Sequence, residues 1–148
     1  MSISYVSLEL RRLVVGRAEN LCEYCLLAER DTFLGCEVDH IISEKHSGTT
    51  DAENLAYACV FCNQAKGSDI GSIDWESGEF VRFFNPRVDQ WWDHFLLSGN
   101  KIEAKTKIGA VTANILQFNV EDRLLERKVL RALNRYPRPE ALKRMQPG

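Results

Sequence analysis

The chain has 148 residues, of which 27% are charged and 45% hydrophobic, with a formal net charge of −2. That length suits one ordinary domain with a core of its own, and a charge so near zero excludes the blanket of positive potential that binds nucleic acid indiscriminately. No apolar run approaches the roughly 18 to 20 residues of a membrane span, no signal segment is recognisable, and five cysteines are an odd number for a disulfide framework. These features predict a soluble, reduced, cytoplasmic protein.

Taken in chain order, residues 7–19 predict a helix behind Ser7 as N-cap, weakened by Gly16. It leads into a tight knuckle, Cys22-Glu23-Tyr24-Cys25. Residues 32–42 read as extended, with Phe33, Val38, Ile41 and Ile42 as strand formers and Asp39-His40 at the strand's end. A polar loop over 43–53 precedes an expected helix over 52–66, which carries Cys59-Val-Phe-Cys62-Asn63 and stops at Gly67; a break near Cys59 is equally allowed. After a turn-rich stretch, 79–84 predicts a strand, and 89–97 one or two helical turns whose Trp91 and Trp92 pack into the core. Gly99-Asn100 breaks that element, and 110–116 and 121–134 read as helices. Pro137 and Pro139 set off residues 137–148 as a tail that need not be ordered. Residues 121–148 carry eight Lys/Arg against four Asp/Glu, leaving an acidic body with a basic end. Such an end suits local contact with a polyanion, and equally a plain solvated helical face.

The two Cys-x-x-Cys pairs, Cys22/Cys25 and Cys59/Cys62, are separated by 33 residues. In a reduced chain that frame predicts one structural four-cysteine Zn²⁺ site rather than two redox dithiols. Zinc held by four sulfurs has no open position, so it folds the chain but does not activate water. Any catalysis must come from Asp39, His40, Asn54 and Asn63.

The pattern Glu37-x-Asp39-His40-Ile41, then Asn54-Leu55, then Cys59-x-x-Cys62-Asn63-x-x-Lys66, resembles the zinc-bearing branch of the HNH endonuclease family across roughly residues 20–68. The resemblance implies an α+β fold: a ββα-metal core of two strands and a helix, here with an N-terminal helix and a mainly helical C-terminal elaboration over 69–136 completing one domain over 1–136. It implies His40 as the general base, suited by an imidazole pKa near neutrality. It implies Asn54 as the amide that holds the hairpin in place, and Asp39 with Asn63 as ligands of a catalytic Mg²⁺ or Mn²⁺. Asn63 stands where the family usually has histidine, and an amide oxygen is a harder ligand that favours Mg²⁺. The implied activity is hydrolysis of DNA phosphodiesters to 3′-hydroxyl and 5′-phosphate ends. Lys66 reads as a phosphate contact or as an ordinary helix-end lysine, and His46 as a surface histidine or a substrate contact. His94 and Cys36 read as packing residues. The alternative function is a non-catalytic zinc-stabilised module that binds nucleic acid or protein. Oligomeric state and target are not readable from the sequence.

Overall fold

The computed structural model describes residues 5–148. The Ser7 hydroxyl caps the first helix by accepting from Leu10 N at 3.1 Å, and α1 runs Leu8–Ala18. It ends where Glu19 and Asn20 take positive φ of 56° and 58°. This turn delivers the chain into the buried 22–25 knuckle, where Cys25 N approaches Cys22 Sγ at 3.5 Å.

Three elements then form the centre of the molecule: β1 (Cys36–His40), β2 (Leu55–Cys59) and α2 (Val60–Lys66). β1 and β2 pair antiparallel, from Cys36 opposite Cys59 to His40 opposite Leu55. The helix expected over 52–66 is thus shorter than its sequence suggests. Residues Ala52–Asn54 make a single 3-10 turn, and Leu55–Cys59 is a strand. All five strand residues are buried, and pairing with β1 overrides the helix preference of Ala56 and Ala58. Cys59 keeps an extended backbone and its Sγ accepts from Cys62 N at 3.4 Å, so the knuckle itself starts the helix.

Beyond α2 the chain adds two hairpins and four helices. These are β3 (Gly71–Asp74) with β4 (Glu79–Arg82), the single turn α3 (Trp91–His94), and β5 (Phe95–Ser98) with β6 (Lys101–Ala104), followed by α4 (Lys107–Ile115), α5 (Glu121–Ala132) and α6 (Pro139–Arg144). The sequence reading missed β3 and took 95–97 as helical. Gly71 explains part of this: a Cβ there would lie 2.4 Å from Val81 O, so the residue read as a turn former is needed for close strand approach. Tyr24, Phe84, Trp91, Phe95 and Phe118 form one aromatic core, with Trp91 and Phe95 centroids 5.1 Å apart and Trp91 Nε1 donating to Tyr24 O at 2.8 Å. Trp91 is core as expected, while Trp92 is only half-buried. The ring of His94 packs edge-on against Phe84, and Cys36 is buried without a disulfide. The fold is α+β, built of small sheets, helices and a four-cysteine cluster. No helix among the described residues is long and apolar enough to cross a membrane.

The segment expected as a tail packs on the body. Pro139 starts α6 at its first turn, where a missing N–H costs nothing, Ala141 is fully buried, and Arg144 Nη2 donates to Arg17 O at 2.9 Å. Arg138 grips both oxygens of Asp31 at 3.0 and 3.1 Å, and the Asp31 side chain is 1% exposed. Removing Arg138 leaves that carboxylate with only Arg135 at 4.0 Å. Arg138→Met is therefore expected to lower unfolding free energy by about 2–3 kcal/mol in urea titration. Breaking the exposed Lys107–Glu79 pair by Lys107→Met is expected to cost under about 1 kcal/mol.

Candidate active site and metal centre

The hairpin and the two knuckles bring Cys22, Cys25, Cys59 and Cys62 together, all buried, with their sulfurs within 4.8 Å of one another. Cys25 Sγ and Cys59 Sγ are 3.8 Å apart, the edge expected of a tetrahedron with metal–sulfur bonds of about 2.3 Å. Burial pushes the Cys22 and Cys62 thiols up, and a divalent cation held by the four sulfurs would favour their thiolate forms. The donor set and spacing are compatible with zinc.

At the other end of β1, the His40 ring sits under the 42–50 loop. Its Nε2 lies 3.0 Å from Thr50 Oγ1 and 3.8 Å from Glu44 Oε1. Asn54 closes that loop with its whole amide group: Nδ2 donates to Ile42 O at 2.9 Å and Thr49 O at 2.8 Å, and Oδ1 accepts from Ile42 N at 2.9 Å. Asn54 sits in the turn before β2 rather than on the following helix, as the sequence reading had it. Gly48 belongs to the same closure. A Cβ there would meet Ile42 O at 1.6 Å, so only glycine lets the loop backbone press onto the strand end.

On the opposite face of β1, alternation turns Glu37 and Asp39 toward α2. They meet Asn63 and Lys66, three residues apart on one helix face. Asn63 Nδ2 donates to Glu37 Oε1 at 3.2 Å, which leaves its amide oxygen for a cation. Asp39, 5% exposed, accepts from Tyr24 Oη at 3.0 Å and from Lys66 Nζ at 3.3 and 3.2 Å; Lys66 also donates to His40 O at 2.9 Å. Burial pushes the Asp39 carboxyl up, and Lys66 and Tyr24 pull it back toward the ionised form.

Lys66, read as a phosphate contact or as an ordinary helix-end lysine, points inward instead of into solvent. It is 1% exposed and serves as the internal counter-charge of Asp39. Asp39 and Asn63 face the same interval between strand and helix without bonding each other, and His46 is exposed in the Glu44–His46 turn. Sequence reasoning assigned no role to Tyr24, to Thr50 or to Glu37, although Glu37 opens the family pattern. Tyr24 lies inside the first knuckle and Thr50 in a loop whose path was unknown, so neither had a periodicity to reveal it. The oxygen donors of Glu37, Asp39 and Asn63 suit a hard divalent ion, and Lys66 holds the positive charge beside Asp39 with which such an ion competes. His40 is 14% exposed, while Asp39 and Lys66 are buried, so the site shows only part of its groups to solvent. Cavities of 650 and 530 Å³ lie elsewhere, against α4 and between α2 and α5.

Asn54→Ala removes three hydrogen bonds at a partly exposed position and is expected to cost about 2 kcal/mol in unfolding free energy. Gly48→Ala must push the loop off Ile42. Both variants are expected to speed tryptic cleavage at Lys45 while β1–β2 persists, and unchanged cleavage would show that the loop does not depend on this closure.

Residues 22–69 match the model of the HNH endonuclease family. No curated protein and no solved structure matches the chain. The matched span begins at the first zinc-type cysteine and includes the Asp39-His40 strand end, the Asn54 closure and the second knuckle. Over residues 22–69, about a third of the chain, the protein is similar to the HNH endonuclease family, and that likeness supports a nuclease-type module there.

Proposed function

We propose that the protein is a metal-dependent endonuclease that hydrolyses DNA phosphodiester bonds, with zinc in the cysteine cluster as a structural staple. The observation that carries this reading is the posture of His40. It stands at a strand end, its side chain 14% exposed, with one ring nitrogen held and its loop closed by Asn54. With Nε2–H donated to Thr50 Oγ1, and the Glu44 carboxylate behind it, Nδ1 is the basic nitrogen. His40 Nδ1 then takes a proton from water as the water oxygen bonds phosphorus and the P–O3′ bond breaks; solvent protonates the departing 3′-oxygen to the hydroxyl, and the imidazolium returns its proton to solvent. Asp39 and Asn63 would hold Mg²⁺ or Mn²⁺, which when bound supplies Lewis-acid stabilisation of the phosphate and the leaving oxygen. Lys66 and Tyr24 orient the Asp39 carboxylate, and Lys66, through His40 O, ties it to the strand end that carries the base. The free thiols, all buried, fit a reducing compartment such as the cytoplasm.

A second reading, a zinc-stabilised nucleic-acid- or protein-binding module without catalysis, draws on the closed state of Asp39. Plasmid nicking separates the two. Wild-type protein with Mg²⁺ or Mn²⁺ is expected to nick supercoiled DNA, and His40→Ala to lose about 10²- to 10⁴-fold in rate at unchanged zinc content. Equal nicking by both proteins, or none by wild type across a metal panel, would remove the enzyme.

The ion assignment has its own check. Lys66→Met strands the Asp39 carboxylate and is expected to cost about 3–5 kcal/mol. If Asp39 is an ion ligand, added Mn²⁺ raises the melting temperature of Lys66→Met more than that of wild type, and Asp39→Asn on the same background abolishes the difference.

A further inference from the structure

We infer that the C-terminal elaboration completes the metal centre: Arg123 of α5 is the counter-charge and hydrogen-bond donor of the zinc–cysteine cluster. Arg123 lies well outside the 22–69 family segment, yet its guanidinium reaches the second knuckle. Nη1 and Nη2 each lie 3.5 Å from Cys62 Sγ, and Nη2 lies 3.8 Å from Cys59 Sγ. Nη1 also donates to Leu116 O at 3.2 Å, and the group sits over the Phe61 ring at 5.9 Å. The side chain is 6% exposed. A buried guanidinium needs a buried anion, and the described contacts give this one no carboxylate partner. Glu126 acts on it only at longer range, and the anions it touches are the sulfurs as thiolates.

The orientation of α5 follows from this. Its buried face carries Arg123 and Arg127 beside Leu130, while Leu125 and Val129 are half or more exposed. Burying two cations on one helix face departs from ordinary amphipathic packing. A Zn²⁺ ion with four thiolates carries a formal charge of −2, and N–H groups directed at its sulfurs disperse that charge and lower the tendency of the thiolates to protonate and dissociate. Arg123 is thus a positioning residue, acting on the metal through Cys59 and Cys62. The nuclease-type segment retains zinc fully only when α5 is docked.

The inference rests on the cluster holding zinc, so wild-type zinc content is measured first, on the full chain. Arg123→Met and Arg123→Lys are then compared with wild type by zinc transfer to a chromophoric chelator. Loss of such a supporting partner typically weakens metal binding about 10- to 100-fold. We expect that loss for Arg123→Met, and an intermediate one for Arg123→Lys, which keeps the charge but cannot span two sulfurs. In Co²⁺-loaded protein, removing N–H donors raises the energy of the sulfur lone pairs, so the sulfur-to-cobalt charge-transfer band of Arg123→Met shifts to longer wavelength. That shift is not produced by a role in packing alone. Zinc-loaded wild type with unchanged zinc transfer and an unshifted cobalt band in Arg123→Met would overturn the role of Arg123. Wild type without zinc would overturn the zinc reading itself.

Discussion

Four buried sulfurs within 4.8 Å of one another tie the turn after α1 to the junction of β2 and α2, and the rest of the molecule is arranged around that tie. Because Cys36 and Cys59 are opposed in the β1–β2 register, the cluster lies at one end of the hairpin and His40, opposite Leu55, lies at the other. The staple and the chemistry are thereby separated along one rigid ribbon. In the proposed function this suits what each requires: a closed sulfur shell needs burial, whereas a base acting on a polymer needs a place at the surface. Glu23 strengthens the same joint by receiving Tyr57 N at 3.0 Å while its own N–H donates to Tyr57 O at 2.8 Å.

The two faces of β1 do different work. One face turns Glu37 and Asp39 onto α2, making rungs to Asn63 and Lys66 that lock helix to strand. The strand end presents His40 beneath a loop that Asn54 and Gly48 hold shut. An imidazole on a mobile loop would spend most of its time misaligned, and placing it on a paired strand with a held ring nitrogen removes that cost. The Asp39–Lys66 pair supplies orientation at the expense of availability, since a buried ammonium at 3.2 Å neutralises the carboxylate that a cation would seek.

The elaboration is a support rather than an appendage. Tyr24 shows this most directly, with its hydroxyl on Asp39, its carbonyl on Trp91 and its ring against Phe84. Tyr136 reaches back to Cys25 O at 2.9 Å, and Arg138 and Arg144 tie α6 to the N-terminal third. Contacts of such long sequence separation mean that the family segment borrows much of its burial from residues beyond it.

The cysteine spacing, the Asp-His dipeptide at a strand end and the Ser7 cap were legible in the sequence because each is a local pattern with a local physical cause. The family frame gave Asn54 and Asn63 their places by position alone. Strand β2 was not legible: Leu-Ala-Tyr-Ala-Cys has no alternation when both faces are buried, and only its partner strand shows that it is a strand. The true office of Lys66 was equally hidden, since a lysine at a helix end looks the same whether it faces solvent or a buried carboxylate. Arg123 left no trace at all, being 61 positions from the sulfur it touches. Spacing and residue type determined which groups could hold a metal or move a proton. Only the tertiary structure decided which of them are open to solvent and which are already bonded to one another, because burial and charge pairing depend on segments that meet in space and not in sequence.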